Sequence, residues 1–289
     1  MAVTQKSSFG SYSVSANDFI KAEAIHQFKK ANVMAPLVTS MTAPAGAASV
    51  TFVDYTAKAS SDVGSLSEGS ERSSIAVAST AHTATIANYV VRSDVTDLAV
   101  LGSAGDVTGD VGITLGHACA LKIDDLLTDL IAGFSQTSGS AGTALTLDQF
   151  MEGARLLNAA GAPGAYSYVA NSKQIWGAKG IQGLLIASSS GTFADNAVSA
   201  TMLENGFVGK LAGVNLYYSE EVSEDGNDDC PSGMFAAGAL GLGISSAGLI
   251  NVESQRDASY QHTEYVASVK AGVIEIKDAF GVYMLTDVS

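Results

Sequence analysis

Residues 252–286 read VESQRDASYQHTEYVASVKAGVIEIKDAFGVYMLT, and how this stretch folds decides the architecture. Together with FAAGAL (235–240) before it, it reads as a succession of strands: a long run from Gly248 to about Ser268 and beyond, then AGVIEIKDA, then GVYMLTD. The same reading extends to residues 48–56, ASVTFVDYT, whose β-branched and aromatic content marks another strand. A small, polar, glycine-punctuated segment follows, KASSDVGSLSEGSERSS, with almost nothing to bury. After it, IAVASTAHTATIANYVV alternates as one long return strand from Ile75 to beyond Ile86. Two long strands joined by a polar stretch make an extended hairpin that cannot be stable alone in water. It needs a surface to lie on, either its own domain or a neighbouring subunit.

Helices punctuate these strands. Ser15 and Asp18 open a capping pattern, and Phe19, Ala22, Ile25 and Phe28 predict a helix over 16–31 ending before Pro36. The longest helix follows the loop GDVTGDVG, over about 111–134. Ile113, Ala120, Ile123, Leu127, Leu130, Ile131 and Phe134 keep one apolar side, with Asp106 and Asp110 near its positive end. Thr146 and Gln149 form a capping box for a helix through Leu157, which GAPG (161–164) stops. AYSYVAN is a strand, Ser172 caps a short helix through Trp176, and 181–205 mixes loop with weak helix. There is no internal repeat.

Composition excludes several classes of function. Only 15 Lys and Arg stand against 29 Asp and Glu, a net charge of −14, and no basic cluster exceeds Lys29-Lys30. Tight nucleic-acid binding, which draws on phosphate neutralisation, is excluded. Charged residues are 15% of the chain and glycines number 30, so little keeps an isolated surface solvated and partners are expected to cover it. Two cysteines, Cys119 and Cys230, show no metal spacing and suit a reducing cytoplasm. The N-terminus has no apolar core of a signal peptide. GMFAAGALGLGISSAGLI (233–250) carries no charge, but its glycines and serines read as buried strand-turn-strand rather than a membrane span.

The candidate chemical motifs are weak. In GKLAGVNLYYSE (209–220), Gly206 lies too close to Gly209-Lys210 for a phosphate loop, and no Ser or Thr follows Lys210; a turn between strands is expected. GISSA (243–247) with Asp257 and His262 follows a nucleophile–acid–base order, yet the residues after Ser245 read as turn and strand rather than helix. His26, His82, His117 and His262 lie far apart, without metal-ligand spacing. EEVSEDGNDD (220–229) does not fit a calcium loop of alternating ligands and reads as a solvated acidic loop. No cofactor or metal is expected.

The order of elements resembles the tailed-bacteriophage major capsid protein, with the α+β fold named after phage Hong Kong 97. The matching pieces are the N-terminal arm and helix, the hairpin around DVGSLSEGSE and ATIANYVVRSDV, the helix 111–134 in the place of the family's spine helix, GFVGKLAGVNLYYSE, and the ending from ALGLG onward. In that ending, Arg256-Asp257, Gly272 and the closing Gly-Val-hydrophobic strand carry most of the likeness.

The resemblance implies an N-terminal arm and helix (1–35), a peripheral domain (36–53, 91–144 and 236–289), an extended β-hairpin loop (54–90) and an axial domain (145–235). It places Gly209, Lys210 and Gly213 in tight turns of the axial domain. Glu220, Glu221, Glu224, Asp225, Asp228 and Asp229 would lie near the capsomer axis or the surface. Lys58, Glu68, Glu71, Arg72 and Arg256 are the expected inter-subunit contacts. The implied partner is the chain itself, as hexamers and pentamers of an icosahedral shell around double-stranded DNA, made in a bacterial cytoplasm. Scaffolding, if needed, would be a separate protein, because no scaffolding segment is expected before the arm; a portal and a decoration protein are the other possible partners. The covalent cross-link of some members is not carried over to Lys58, whose asparagine and glutamate partners have no match. An encapsulin-like compartment shell is the nearest alternative, followed by a tail or decoration protein and a serine hydrolase.

Overall fold

A computed structural model describes residue 24 and residues 32–103, 107–177, 179–181, 207–219, 221–225 and 227–288. The helix expected over 16–31 and the mixed segment 181–205 fall outside these, except for Ala24, which is helical and buried, and Ile181.

In chain order the strands and helices are β1 (Thr39–Thr42), β2 (Ser49–Tyr55), β3 (Ser79–Thr85), β4 (Ala87–Thr96), α1 (Asp97–Gly102), α2 (Val107–Ile131), β5 (Thr137–Gly139), α3 (Leu147–Ala159), β6 (Ser167–Ala170), α4 (Ser172–Trp176), β7 (Phe207–Leu211), β8 (Val214–Tyr218), β9 (Asp229–Phe235), β10 (Leu240–Ile244), β11 (Ile250–Asp257), β12 (His262–Glu275) and β13 (Gly281–Asp287).

The 14-residue β12 organises the first sheet. Tyr265, Ala267, Val269 and Ala271 alternate into the core, while the residues between them stay partly exposed. One edge of β12 pairs with β4, from Ala87↔Ala271 to Thr96↔His262. The other edge is shared by β11, up to Ile250↔Val269, and β10, from Ile244↔Ala271. β1 adds in parallel to β10. The run expected from Gly248 past Ser268 is therefore a hairpin, broken after Asp257 by a turn in which Gln261 has φ 51°. FAAGAL is not a strand either: β9 ends at Phe235, Ala236–Ala239 turn, and β10 begins at Leu240.

α2 lies on this sheet through Leu115, Cys119, Ile123, Leu127 and Ile131, an unbroken i, i+4 row. It begins four residues earlier than expected, and Ile113, assigned to the apolar side, is 40% exposed. Gly116 has a packing reason: a Cβ there would lie 2.3 Å from the Ala24 carbonyl oxygen. About two turns of helix further along the same core, the buried carboxylate of Asp124 accepts the N–H groups of Val33 and Met34, both at 2.9 Å.

The second sheet runs β5-β13-β9-β6-β8-β7 and carries α3. Phe150 meets Tyr168 edge-on, ring centroids 5.4 Å apart. Two buried polar side chains here are fully paired: Tyr168 Oη donates to Ser232 Oγ, which donates to the Met284 carbonyl, and Gln174 Nε2 donates to the Cys230 carbonyl and Thr286 Oγ1. β5 and β13 come from stretches 91–144 and 236–289, so each of those stretches feeds both cores. The capping box at Thr146 and Gln149 forms as expected. At α4 the cap is Asn171, not Ser172; its Oδ1 accepts the Lys173 N–H at 2.9 Å.

β2 and β3 form a separate two-stranded ribbon whose Val50, Phe52 and Ala84 pack together. The expected return strand is two strands. It starts at Ser79 rather than Ile75, breaks at Ile86, and changes partner there from β2 to β12. The 233–250 stretch is spread over β9, β10 and the start of β11. No described helix is long and apolar enough to cross a membrane.

Candidate assembly surfaces

Between β2 and β3 the chain runs exposed from residue 56 to 78, with one short 3-10 turn at Ser60–Asp62. Its shape is held by its own polar groups. Lys58 Nζ donates to the Ala76 carbonyl, Arg72 Nη2 donates to the Asp62 carbonyl at 2.7 Å, and Asp62 accepts the Ala59 N–H at 2.9 Å. The Arg72 guanidinium lies over Gly64, and a turn at Ser67–Ser70 uses Gly69 at φ 81°. Glu68 and Glu71 are exposed at and just after that turn. So two of the expected contact residues, Lys58 and Arg72, bond within their own loop. Besides these polar groups the loop leaves apolar side chains to solvent: Val63 is 81% exposed and Leu66 63%, with Tyr55, Ile75 and Val77 exposed as well.

A second apolar surface lies at the far end of β4, β11 and β12. Thr96 caps α1 by accepting the Ala99 N–H, and the six-residue helix presents Leu98 and Leu101, 79% and 83% exposed, near Tyr260. Arg256 pairs here with Asp97 of its own chain at 2.6 Å, and the Asp97 N–H donates to the Gln261 carbonyl. The sequence reading missed α1; the Thr96-Asp97 cap before Leu98 was its one signal. Alongside, Arg92 pairs with both Asp94 and Glu264 at 2.8 Å, and His262 Nε2 is 3.3 Å from Glu264. Asp94, His262 and Glu264 bring their ligand atoms within 4.8 Å of one another, the spacing of a metal site. Arg92 already supplies the positive charge, and it holds the Asp94 carboxyl below the ordinary carboxylate range.

The acidic loop is folded, not simply solvated. Asp225 accepts the N–H groups of Asn227 and Asp229 at 2.8 and 3.0 Å, which hold its carboxyl low. Asp228 takes φ 62°, Glu224 pairs with Lys173, and Glu221 is half-buried. Asp229 is buried and accepts the Gly142 N–H at 2.7 Å, so its expected exposure is corrected. Glu220 lies outside the described residues. Of the loop's carboxylates, Asp225 and Asp229 accept backbone amides and Glu224 pairs with Lys173.

The remaining chemical candidates do not assemble. Ser245 Oγ accepts the Ala247 N–H in a strand-turn-strand, and its own N–H donates to the Lys270 carbonyl. His262 is at the opposite end of β12, about 26 Å along the strand, and Asp257 instead caps the turn at Ser259. Lys210 is an exposed strand residue opposite Asn215, not a turn residue. The turn is Ala212-Gly213, at φ 50° and 87°, and Gly209 sits at a register shift within β7. His82 is on β3 and His117 is exposed on α2, while His26 lies outside the described residues. Cys119 and Cys230 are free thiols, and burial pushes both up to about 11.

No protein-family model matches the sequence, and no curated protein matches it significantly. Solved structures do match, over almost the whole chain. The capsid of cyanophage P-SCSP1u is 17% identical with a TM-score of 0.66, covering 90% of both chains. The capsid of Ralstonia phage GP4 is 9% identical with a TM-score of 0.65, again covering 90% of both. The holo encapsulin complex from Synechococcus elongatus is 13% identical with a TM-score of 0.62, covering 88% of this chain and 87% of that one. The protein thus has the fold of phage major capsid proteins, the Hong Kong 97-like α+β fold.

Proposed function

We propose that the chain is a structural subunit that assembles with copies of itself into a closed shell, as the major capsid protein of a double-stranded DNA phage. The observation that carries this is the extent of the match to shell subunits, 90% of both chains for two phage capsids. Two features of the molecule support it: apolar side chains left exposed on the loop 56–78, and those on α1. Each is a modest contact, and a shell of hexamers and pentamers multiplies modest contacts into a stable whole. The net charge of −14 suits a container that does not bind its polyanionic contents tightly.

In this reading 54–90 is the extended loop lying over a neighbour, with Lys58, Glu68, Glu71 and Arg72 at the contact and Arg256 at another. Residues 1–35 form an arm that does likewise. The stretches 36–53, 91–144 and 236–289 form the peripheral domain and 145–235 the axial domain, with the acidic loop at the capsomer axis or the surface. The protein has no catalytic step or cofactor. Its place is the virion, after synthesis in the bacterial cytoplasm, and a separate scaffolding protein, a portal and a decoration protein are candidate further partners. A bacterial compartment shell is the second reading, favoured by the similarity to the encapsulin.

The test is negative-stain electron microscopy of the purified chain, alone and co-expressed with candidate scaffolding protein, with light scattering on the same samples. Closed particles or rings of five and six are expected. Packaged DNA separates the phage shell from an enzyme-loaded compartment. A monomer under both conditions would refute the shell.

A further inference from the structure

At the far end of β4 and β12, four polar side chains stand on the face of the first sheet turned away from α2. Val95 and Tyr265 are buried in the core that α2 covers, so the residues on either side of them face the other way. Asp94 is the direct cross-strand partner of Glu264, and His262 precedes Glu264 by two residues, so the three share one face. Arg92 joins them from two residues before Asp94. The ten-pair ladder between β4 and β12 holds the group, and the side chains of His262 and Glu264 are only 13% and 22% exposed.

The charges here do not balance. Arg92 pairs with both carboxylates at 2.8 Å, one positive charge against two negative ones. A neutral imidazole adds a lone pair and no charge. Glu253 and Asp257 of β11 come to the same face, opposite Val266 and His262, and add negative charge.

The spacing is that of a small coordination sphere. Two ligand atoms about 2.0–2.1 Å from a tetrahedral ion stand about 3.3 Å from each other. His262 Nε2 and Glu264 Oε1 are 3.3 Å apart. Asp94 brings a ligand atom within 4.8 Å of both, and its side chain, 43% exposed, has room to close the difference. Arg92 is 52% exposed, so its guanidinium can swing into water and release the carboxylates. An imidazole nitrogen among carboxylates selects zinc and its first-row neighbours over calcium and magnesium, which take oxygen ligands.

We propose that Asp94, His262 and Glu264 form a binding site for a divalent ion of the zinc class, with Arg92 as the counter-charge that the metal displaces. His262 offers Nε2 and keeps its proton on Nδ1. The ion ties β4 to β12 at the end of their ladder, beside α1. The site lies within one chain and does not depend on the shell reading.

Zinc sulfate titrated into the full, unassembled chain in competition with a chromophoric chelator tests it, after bound metal has been stripped and the stripping agent removed. One zinc ion per chain is expected, with a rise in the unfolding midpoint. His262→Ala is expected to weaken binding by about tenfold or more and to cancel that rise. Asp94→Asn, at a more exposed position, gives the same reading should His262→Ala fail to fold. Arg92→Ala is expected to tighten binding severalfold, because the competing charge is gone; a purely structural Arg92 would not have this effect. His117→Ala, which alters an exposed histidine on α2, is expected to bind zinc as the parent chain does. No zinc uptake by the parent chain, undiminished uptake by both His262→Ala and Asp94→Asn, weaker uptake by Arg92→Ala, or loss of uptake in His117→Ala each overturns the inference. So does a preference for calcium or magnesium over zinc.

Discussion

Gly272 of β12 and Thr85 of β3 meet backbone to backbone: a Cβ on Gly272 would stand 2.3 Å from the Thr85 carbonyl oxygen. This is the point where the chain leaves the ribbon at Ile86 and enters the first sheet as β4. The contact leaves no space for any side chain, which gives the glycine its physical reason. Gly272→Ala is expected to push β3 off β12 and to cost about 1–3 kcal/mol as an overpacking change. Chemical denaturation measures the loss. Faster proteolysis within 56–78 would place it at the base of the loop rather than throughout the molecule.

Asp124 makes stability depend on pH. Burial pushes its carboxyl up to about 6, against the pull of the Val33 and Met34 amides, and the charge of Glu221 adds to the rise. That folded value lies above the roughly 3.9 of an unfolded chain. The folded state therefore holds the extra proton between the two values. The group's contribution is full below about pH 4 and is lost as pH rises through about 6. Asp124→Asn removes this slope and leaves one of the two amides facing an NH₂ group, a cost of about 1–3 kcal/mol at neutral pH. Denaturation midpoints of both proteins at pH 5 and pH 7.5 check it: the change between the two pH values should be smaller in the variant.

Tyr168 is fully buried, and its hydroxyl donates to Ser232. Tyr168→Phe keeps the ring against Phe150, and Ser232 still donates to Met284. One hydrogen bond is lost without orphaning a donor, so a loss of about 1 kcal/mol is expected. A loss as large as that of a core truncation, about 3 kcal/mol or more, would mean that the second core reorganises.

Arg256 and Asp97 are about half exposed, so their ion pair contributes less than about 1 kcal/mol to the fold. If the surface around α1 meets a neighbour, Arg256→Ala should reduce assembly far more than stability, and the deficit should persist when stability is matched by temperature. Light scattering during assembly, set beside thermal unfolding of the unassembled chain, separates the two effects.

What the sequence made legible was local. The Thr146–Gln149 capping box and the Ile123, Leu127 and Ile131 face of α2 are written in adjacent turns, where residue type and spacing suffice, while Leu115 and Cys119 extend that row beyond the residues expected and Ile113 falls outside it. What stayed hidden was the choice of partner. The alternation from Ser79 to Thr96 runs almost unbroken across Ile86, yet the pairing changes there from β2 to β12, because that choice is made by strands more than a hundred residues away. Burial of Asp229 is similar: nothing near it in sequence announces the Gly142 amide that removes it from solvent. At the loop, the charged residues drew attention, although Lys58 and Arg72 bond within the loop and Val63 and Leu66 are exposed beside them. Within α1, Leu98 and Leu101 are left outside the cores, and nothing in the neighbouring sequence distinguishes them from core residues.

The continuity of β3 into β4 also has a mechanical meaning. A pull on the loop directed along its strands passes through Ile86 into the ten-residue β4, whose bonds to β12 lie across the line of force. Those bonds are loaded together, in shear, rather than opened one after another like a zipper. The rupture force is then set by the whole strand and not by its weakest pair. Tension on the loop is thus carried into the ten-pair seam between β4 and β12, at the middle of the first sheet.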